Sequence, residues 1–497
     1  MSPPDPMQTD AAADFVARAK AALAFFESVN RDRTQLAALD ETLRRALMEV
    51  AGRATRPDSL QKRAFVRALR KQKLADKRAA DESKLAATGI RQRRGAPVFV
   101  TPPALPAPVA PGVDLEQALA GRPTVQDERT CYVCKDPFTE LHHFYDSMCG
   151  PCAERNWSKR HQTADLAGRV AVITGARVKI GYQAAILLLR AGCRVIVTTR
   201  FPHDAALRYA READFAVWRD RLQIHGLDLR HTPSVEAFAH HLDGTLDRLD
   251  FVINNACQTV RRPAGFYGHL LATERLPLAE LPDAARGLLR SHAAQLQVGA
   301  PELSQRALLR EDLVRGEAIF PNGRLDQDLQ QVDLRTHNSW RLPLAEVTTI
   351  ELLEVQLVNS IAPFVLNARL KPLLLRVPSR DKHIVNVSAM EGQFYRSFKT
   401  DKHPHTNMAK AALNMMTRTA ARDYLKDGIH MNSVDTGWVT DEDPAEIAAR
   451  KTAEHGFHPP LDIVDGGARI VDPIFAGLNS GVHAWGQFFK DYAPTHW

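Results

Sequence analysis

From residue 13 to about 88, apolar side chains recur at three- and four-residue spacings: Phe15, Ala19, Leu23 and Phe26, then Leu43, Leu47 and Val50. That period places an apolar stripe along a series of helices. Pro57-Asp58-Ser59 interrupts the run and offers a cap for a second helix, whose apolar members are Leu60, Ala64, Phe65, Ala68 and Leu69. From Leu166 the pattern changes. Short β-branched runs such as Arg169-Val-Ala-Val-Ile-Thr-Gly175 and Val195-Ile-Val-Thr-Thr-Arg200 alternate with longer helical stretches. Continuous apolar strands separated by helices predict an α/β fold built on a doubly wound parallel sheet.

The 497 residues imply about two to four domains, and a 44% hydrophobic content is enough for at least one large core. Four segments are expected: a basic α-helical region over 1–94, a Pro-rich linker over 95–127, a cysteine module over 128–160 and the α/β domain over 166–497. Pro97 to Gly112 reads as extended and semi-rigid because proline dominates it. No internal repeat is visible. No run of about 18 apolar residues suggests a membrane span. Met1-Ser2-Pro3-Pro4-Asp5 lacks a charged-then-apolar leader, so the expected compartment is the cytoplasm.

Charge and cysteine usage sharpen the N-terminal half. Gln61 to Arg94 holds twelve Lys/Arg against three Asp/Glu, so the rest of the chain is slightly acidic although the whole carries +7. Lys62, Arg63, Arg67, Arg70, Lys71, Lys73, Lys77 and Arg78 form a cationic face. It suits an acidic protein partner or plain solvation, and nucleic acid is the other reading, with only Phe65 as an interleaved aromatic.

Of six cysteines, Cys193 and Cys257 sit in apolar contexts and are expected in the core. Cys131-Tyr-Val-Cys134 and Cys149-Gly-Pro-Cys152, fourteen residues apart, have four-cysteine zinc spacing and resemble a treble-clef or zinc-ribbon module. Four thiolates close a tetrahedral site, so the zinc expected at Cys131, Cys134, Cys149 and Cys152 is structural. His142 and His143 are not needed as ligands.

Thr174-Gly175-Ala-Arg177-Val-Lys179-Ile180-Gly181 joins the first strand to a helix, where a dinucleotide fold places the pyrophosphate. Leu227-Asp228-Leu229, Asn254-Asn255-Ala256, Val358-Asn359, Asn386-Val-Ser-Ala389-Met-Glu-Gly392, Lys410 and Asn432-Ser-Val-Asp-Thr-Gly437-Trp-Val-Thr440 follow in order. Together these resemble the short-chain dehydrogenase/reductase (SDR) family over about 166–497, apart from one insertion. The resemblance implies a Rossmann fold and a bound dinucleotide. Thr174, Gly175, Arg177, Lys179, Ile180 and Gly181 would face its phosphates, and Asp228 and Leu229 its adenine. Asn255, Ala256, Lys410, Gly437 and Thr440 complete that set. Thr199-Arg200 stands where NAD enzymes carry an acid, and with Arg177 it favours NADP(H) over NAD(H). Lys179 replaces the middle glycine of the family turn; its ammonium either contacts a phosphate or points to solvent.

The family reaction uses serine, tyrosine, lysine and asparagine. Asn359 and Lys410 match, but Ala389 falls on the serine and Thr406 on the tyrosine. A phenol can be tuned towards working pH by a nearby cation; a threonine hydroxyl cannot. Tyr395, His403 and His405 stand close in sequence as replacements. An insertion at roughly 261–338 is expected to be mostly helical (Leu288 to Leu296, Ala307 to Val314) and to emerge at the substrate edge of the sheet. Two functions follow: an NADP(H)-linked SDR-like oxidoreductase with Lys410, Asn359 and Thr406 at its centre, or an inactive nucleotide-sensing scaffold. The partners expected are a small-molecule substrate, a protein or nucleic acid on the basic helix and a second copy of the chain, with no membrane.

Overall fold

The computed structural model describes residues 6–104, 122–290, 299–313, 316–395, 399–456 and 458–497. The chain divides into two compact units, Met1–Ser83 and Lys84–Trp497. In the first, helices Pro6–Arg31 and Glu41–Thr55 precede the start of Ser59–Ala86. Asp40 caps the second by accepting the Leu43 N–H at 2.8 Å, and Asp58 accepts that of Gln61 at 2.7 Å at the break read from the sequence. Phe15, Leu23, Leu43, Leu60 and Phe65 remain exposed, while Val29 is buried.

The second unit is built on a nine-stranded sheet in the order β11-β10-β9-β8-β6-β3-β4-β5-β7. The central strands are β3 (Val170–Thr174), β4 (Arg194–Thr199), β5 (Leu222–Gly226), β6 (Phe251–Asn254), β8 (Lys382–Ser388) and β9 (Ile429–Asp435). Neighbouring strands pair parallel, and only the C-terminal hairpin of β10 (Phe488–Lys490) and β11 (Ala493–Thr495) turns antiparallel. Strands β3, β8 and β9 are buried along their whole length, as a sheet covered on both faces requires. Leu188, Leu189, Ile470 and Ile474 cover one face, and Phe238, Leu366, Leu370 and Leu373 the other. This is the doubly wound Rossmann sheet expected from the alternation of strands and helices.

Several details depart from the sequence reading. Lys84–Gly95 packs with the second unit, so the compact boundary falls at Ser83 rather than near 94. The antiparallel pair β1 (Thr124–Thr130) and β2 (Pro137–Glu140) opens the cysteine module, and β1 begins four residues before the end of the stretch 95–127 assigned to the linker. Residues 105–121 of that linker lie outside the described residues. Its first part is a docked strap: the Phe99 N–H donates to Gln327 O at 2.9 Å, and Arg190 Nη1 to Pro102 O at 2.9 Å. Cys193 is buried as expected, but Cys257 is exposed, because the chain has left β6 before reaching it.

The insertion is not mostly helical. Among its described residues, between Ala264 and Leu313, it forms short helices and 3₁₀ turns and contributes the two-residue strand β7 (Leu289–Arg290), which extends the sheet beside β5. Residues 291–296 and 314 of the expected helices lie outside the described residues. Pro263, Pro277 and Pro282 break up the first part of the insertion. Thr349–Leu375 is long and apolar enough by length and composition alone to cross a membrane, although Glu351, Glu354, Asn359, Asn367, Arg369 and Lys371 interrupt its apolar run. Its Leu366, Leu370 and Leu373 pack against the sheet, as in a core helix.

Candidate functional site

The C-terminal ends of β3 and β6 meet through side chains. Thr174 Oγ1 accepts the N–H groups of Asn255 at 3.1 Å and Ala256 at 3.0 Å, while Asn255 Nδ2 donates to Thr174 O and Gly175 O. Gly181 passes so close to Gly175 O and the Asn255 amide that any side chain there would collide. The turn is thereby drawn tight beneath helix Lys179–Arg190, whose N-terminus carries no side-chain cap. Its first-turn amides have no intrahelical acceptor, the arrangement that receives a phosphate.

Lys179 adopts the left-handed conformation of the glycine it replaces, with φ of 57°. Its ammonium does not point to bulk solvent. Burial alone would lower its pKa, but Glu442, Asp328 and Asp326 outweigh burial and raise it. Arg177 is buried and already paired: Nη1 donates to Asp204 at 2.5 Å and Nη2 to Gln330 Oε1. Arg208 donates to Asp328 O at 2.8 Å and Leu329 O at 3.1 Å. A turn of the insertion is thus fastened beside the phosphate turn. Arg200 lies at the end of β4, donating to the Tyr267 hydroxyl at 2.6 Å and resting over that ring. Asp228 is buried in a fork with Arg230, 2.6 Å from Nη2, and Leu229 is buried beside it. Ile180 packs against Gly466, and Thr440 Oγ1 donates to Glu442 at 2.8 Å.

The reacting centre lies beside helix Pro404–Lys426 and the end of β8. Lys410 is buried and donates from Nζ to Val387 O at 2.8 Å. Asn359 stands in a π-turn, Leu357–Ile361, and its amide exchanges two hydrogen bonds with the Gln258 backbone at 2.7 and 3.1 Å. A π-turn interrupts the i→i−4 ladder and leaves backbone carbonyls for water. Ala389 follows β8 directly. Thr406 Oγ1, Ser388 Oγ and both ring nitrogens of His405 are buried without a hydrogen-bond partner among the described residues. Such groups mark a place where water or a ligand belongs.

Of the replacement acids, His405 Nε2 lies 3.6 Å from Glu351. His403 stacks on Trp340, just past the insertion, at 3.9 Å and 4°, and Tyr395 projects into solvent. Three participants were missed in the sequence. Gln258 holds Asn359. Glu351 faces His405. Asp435, at the end of β9, accepts the Met390 N–H at 3.3 Å; burial and then Glu391 and Asp491 push its carboxyl up to about 6. An acid between Val434 and Thr436 was the available signal for Asp435; nothing local marks the other two.

The four cysteine sulfurs lie within 4.8 Å of one another, with Cys134 and Cys149 at 3.6 Å. A tetrahedron of Zn–S bonds of ~2.3 Å has edges near 3.8 Å, whereas a disulfide would bring the sulfurs to ~2 Å. Burial raises the Cys131 thiol, but the Cys149, Cys134 and Val133 amides bring it down to about 7. His142 is not a ligand in this arrangement: its Nδ1 accepts the Phe144 and Tyr145 N–H groups, and burial lowers it to about 3.

A parallel sheet with a phosphate-type turn after its first strand, facing a buried lysine and asparagine, defines a dinucleotide-fold oxidoreductase class. Family profiles agree: residues 169–268 match "short chain dehydrogenase" and residues 324–459 match "Enoyl-(Acyl carrier protein) reductase". An uncharacterized protein of Acanthamoeba polyphaga mimivirus, R665, is 32% identical over 380 residues, covering 74% of this chain and 75% of the relative. The chain belongs to the short-chain dehydrogenase/reductase family. Human retinol dehydrogenase 11 is 32% identical over 135 residues, 25% of this chain and 42% of the relative. Among solved structures, the Pseudomonas aeruginosa RhlG/NADP active-site complex is 18% identical, covering 65% of this chain and 95% of its own, with a TM-score of 0.43. That likeness is too loose to bear on the site.

Proposed function

We propose that the chain binds NADP(H) and acts on a substrate that needs little proton transfer from the protein, an activated C=C or C=N bond. The observation that carries this reading is a division along one helix: Lys410 keeps its anchor on Val387, while Thr406 and Ala389 offer no ionisable group. A lysine ammonium has three N–H donors, so two remain for ribose hydroxyls. When bound, the nicotinamide supplies or accepts the hydride. Thr406 can donate a hydrogen bond but cannot ionise usefully, so the general-acid factor of roughly 10²–10⁴ is missing at its position. In this reading the proton comes from solvent rather than from a side chain at position 406 or 389. The NADP(H) preference rests on Arg200, since Asp204 already engages Arg177. A structural zinc at Cys131, Cys134, Cys149 and Cys152 belongs to the same reading; it closes the module and takes part in no step.

The insertion turn on Arg177 and Arg208 favours a second reading, a nucleotide-sensing scaffold in which cofactor must rearrange Asp326–Gln330. One experiment separates the two. NADPH titrated into the full chain should bind, and Lys410→Ala should weaken it by about tenfold, the scale of a charge-assisted hydrogen bond. An enone, imine and ketone panel then decides. Turnover on the first two favours the oxidoreductase, and binding without any turnover favours the scaffold. Absence of NADPH binding would sink both.

A further inference from the structure

The segment after β9 carries Gly437 and Thr440, the positions assigned to the cofactor, and it is gripped by the cysteine module. Tyr132 lies between Cys131 and Cys134, and its hydroxyl oxygen accepts the Trp438 N–H at 3.0 Å. The same oxygen stands 3.1 Å from where a Cβ on Gly437 would lie. Gly437 has φ of 76°, so this close approach and the left-handed turn both require glycine.

The knuckle itself is tightly made. The Tyr132 N–H donates to Ser147 O at 2.8 Å, joining the first cysteine pair to the approach of the second, and the Cys131 N–H donates to Asp136 O at 2.9 Å. Arg94 Nη2 donates to Val439 O at 3.3 Å and to Leu461 O, at the two ends of the segment's excursion. Val439, Leu461 and Ile463 share an apolar cluster with Cys131, Met148 and Ala153. At the far end, Arg160 on the module's helix holds Asp462 and Asp465, which cap helix Ile463–Ser480.

We propose that the cysteine module is the positioning device for the cofactor loop. Metal in the four-cysteine site sets Tyr132, Tyr132 sets Trp438–Thr440, and metal occupancy is thereby linked to affinity for the nicotinamide half of the dinucleotide. Tyr132 is a positioning residue, since it acts through the loop backbone. The proposal rests on the dinucleotide-binding reading above. Linkage is reciprocal: if metal strengthens dinucleotide binding by some factor, the dinucleotide strengthens metal binding by the same factor.

The test uses the full chain, as wild type and as Tyr132→Phe, with zinc content measured in both. Tyr132→Phe removes the acceptor for the Trp438 N–H while preserving the ring. It should retain its zinc and melting temperature and bind adenosine 2′,5′-bisphosphate normally. NADPH should bind about tenfold more weakly, the scale of one hydrogen bond. Unchanged NADPH affinity, or equal weakening of both ligands, overturns the proposal. Hydrogen exchange needs no nucleotide and separates failure of this inference from failure of the cofactor reading. Amides of residues 438–440 should exchange at least about tenfold faster in Tyr132→Phe and in zinc-stripped wild type, the local opening a lost hydrogen bond allows. Unaltered protection there overturns the coupling whether or not NADPH binds.

Discussion

Thr406 occupies the position where the family places its proton donor, and its hydroxyl is buried without a partner. Asp435 is a buried acid at the end of β9, opposite Ser388 of β8. Burial, then Glu391 and Asp491, push its carboxyl up to about 6, above the ordinary aspartate range, so the native state holds that proton to higher pH. Stability from this group therefore falls as pH rises through that interval, and above it the full penalty, up to ~3 kcal/mol, is present. Asp435→Asn should raise the melting temperature near pH 7 and leave it almost unchanged at pH ~2.5, well below the ordinary aspartate range, where the carboxyl is neutral in both states. A variant less stable than wild type at neutral pH would show that the ionised carboxylate stabilises the fold. Lys410, Asn359, Thr174 and Ala256 could be singled out in the sequence because each belongs to a short motif, although the contact between Thr174 and Ala256 could not. The pairing of Arg177 was not: Asp204 lies 27 residues on and Gln330 153 residues on.

Among elements, the insertion and the π-turn were least legible. Apolar periodicity marks a helix but does not register one extra residue in a turn, so the π-turn at Asn359 is visible only in the backbone. The insertion has little period at all and is held by ion pairs. Arg261 forks onto Asp312 at 2.7 and 2.8 Å and reaches Glu354 at 3.0 Å, all three buried. Removing one partner of such a group leaves unpaired buried charge and costs about 3–5 kcal/mol. Arg261→Ala should lower the melting temperature and speed limited proteolysis within residues 299–338. An unchanged digestion pattern would mean that the aromatic contacts of Phe266, Tyr267 and Phe320 hold the insertion by themselves.

For the whole molecule, the division at Ser83 separates the cationic helical face from the nucleotide turn, Lys410 and the cysteine module. A chain beginning at Lys84 is expected to keep its zinc and its NADPH affinity within about twofold, since no cofactor-site residue is removed. Any nucleic-acid binding by the full chain should disappear with Met1–Ser83 and fall steeply between ~50 and ~200 mM salt, as phosphate contacts do. Loss of NADPH binding on truncation would tie the first unit to the site after all.

By itself the sequence determined the sheet, the order of its motifs, the four-cysteine spacing and the absence of tyrosine at 406. Each is local: strand runs, turn glycines and chelating pairs need only a few neighbouring residues to be recognised. Tertiary structure decided which of those residues are free to act. It placed Asp326 and Asp328 around Lys179, gave Arg177 to Asp204, and brought Asp435 to the strand end beside Ala389. It also set Tyr132 against Trp438 across 306 residues of chain. Such contacts depend on burial and on segments distant in sequence meeting at one sheet edge. Periodicity and motif spacing carry no information about either.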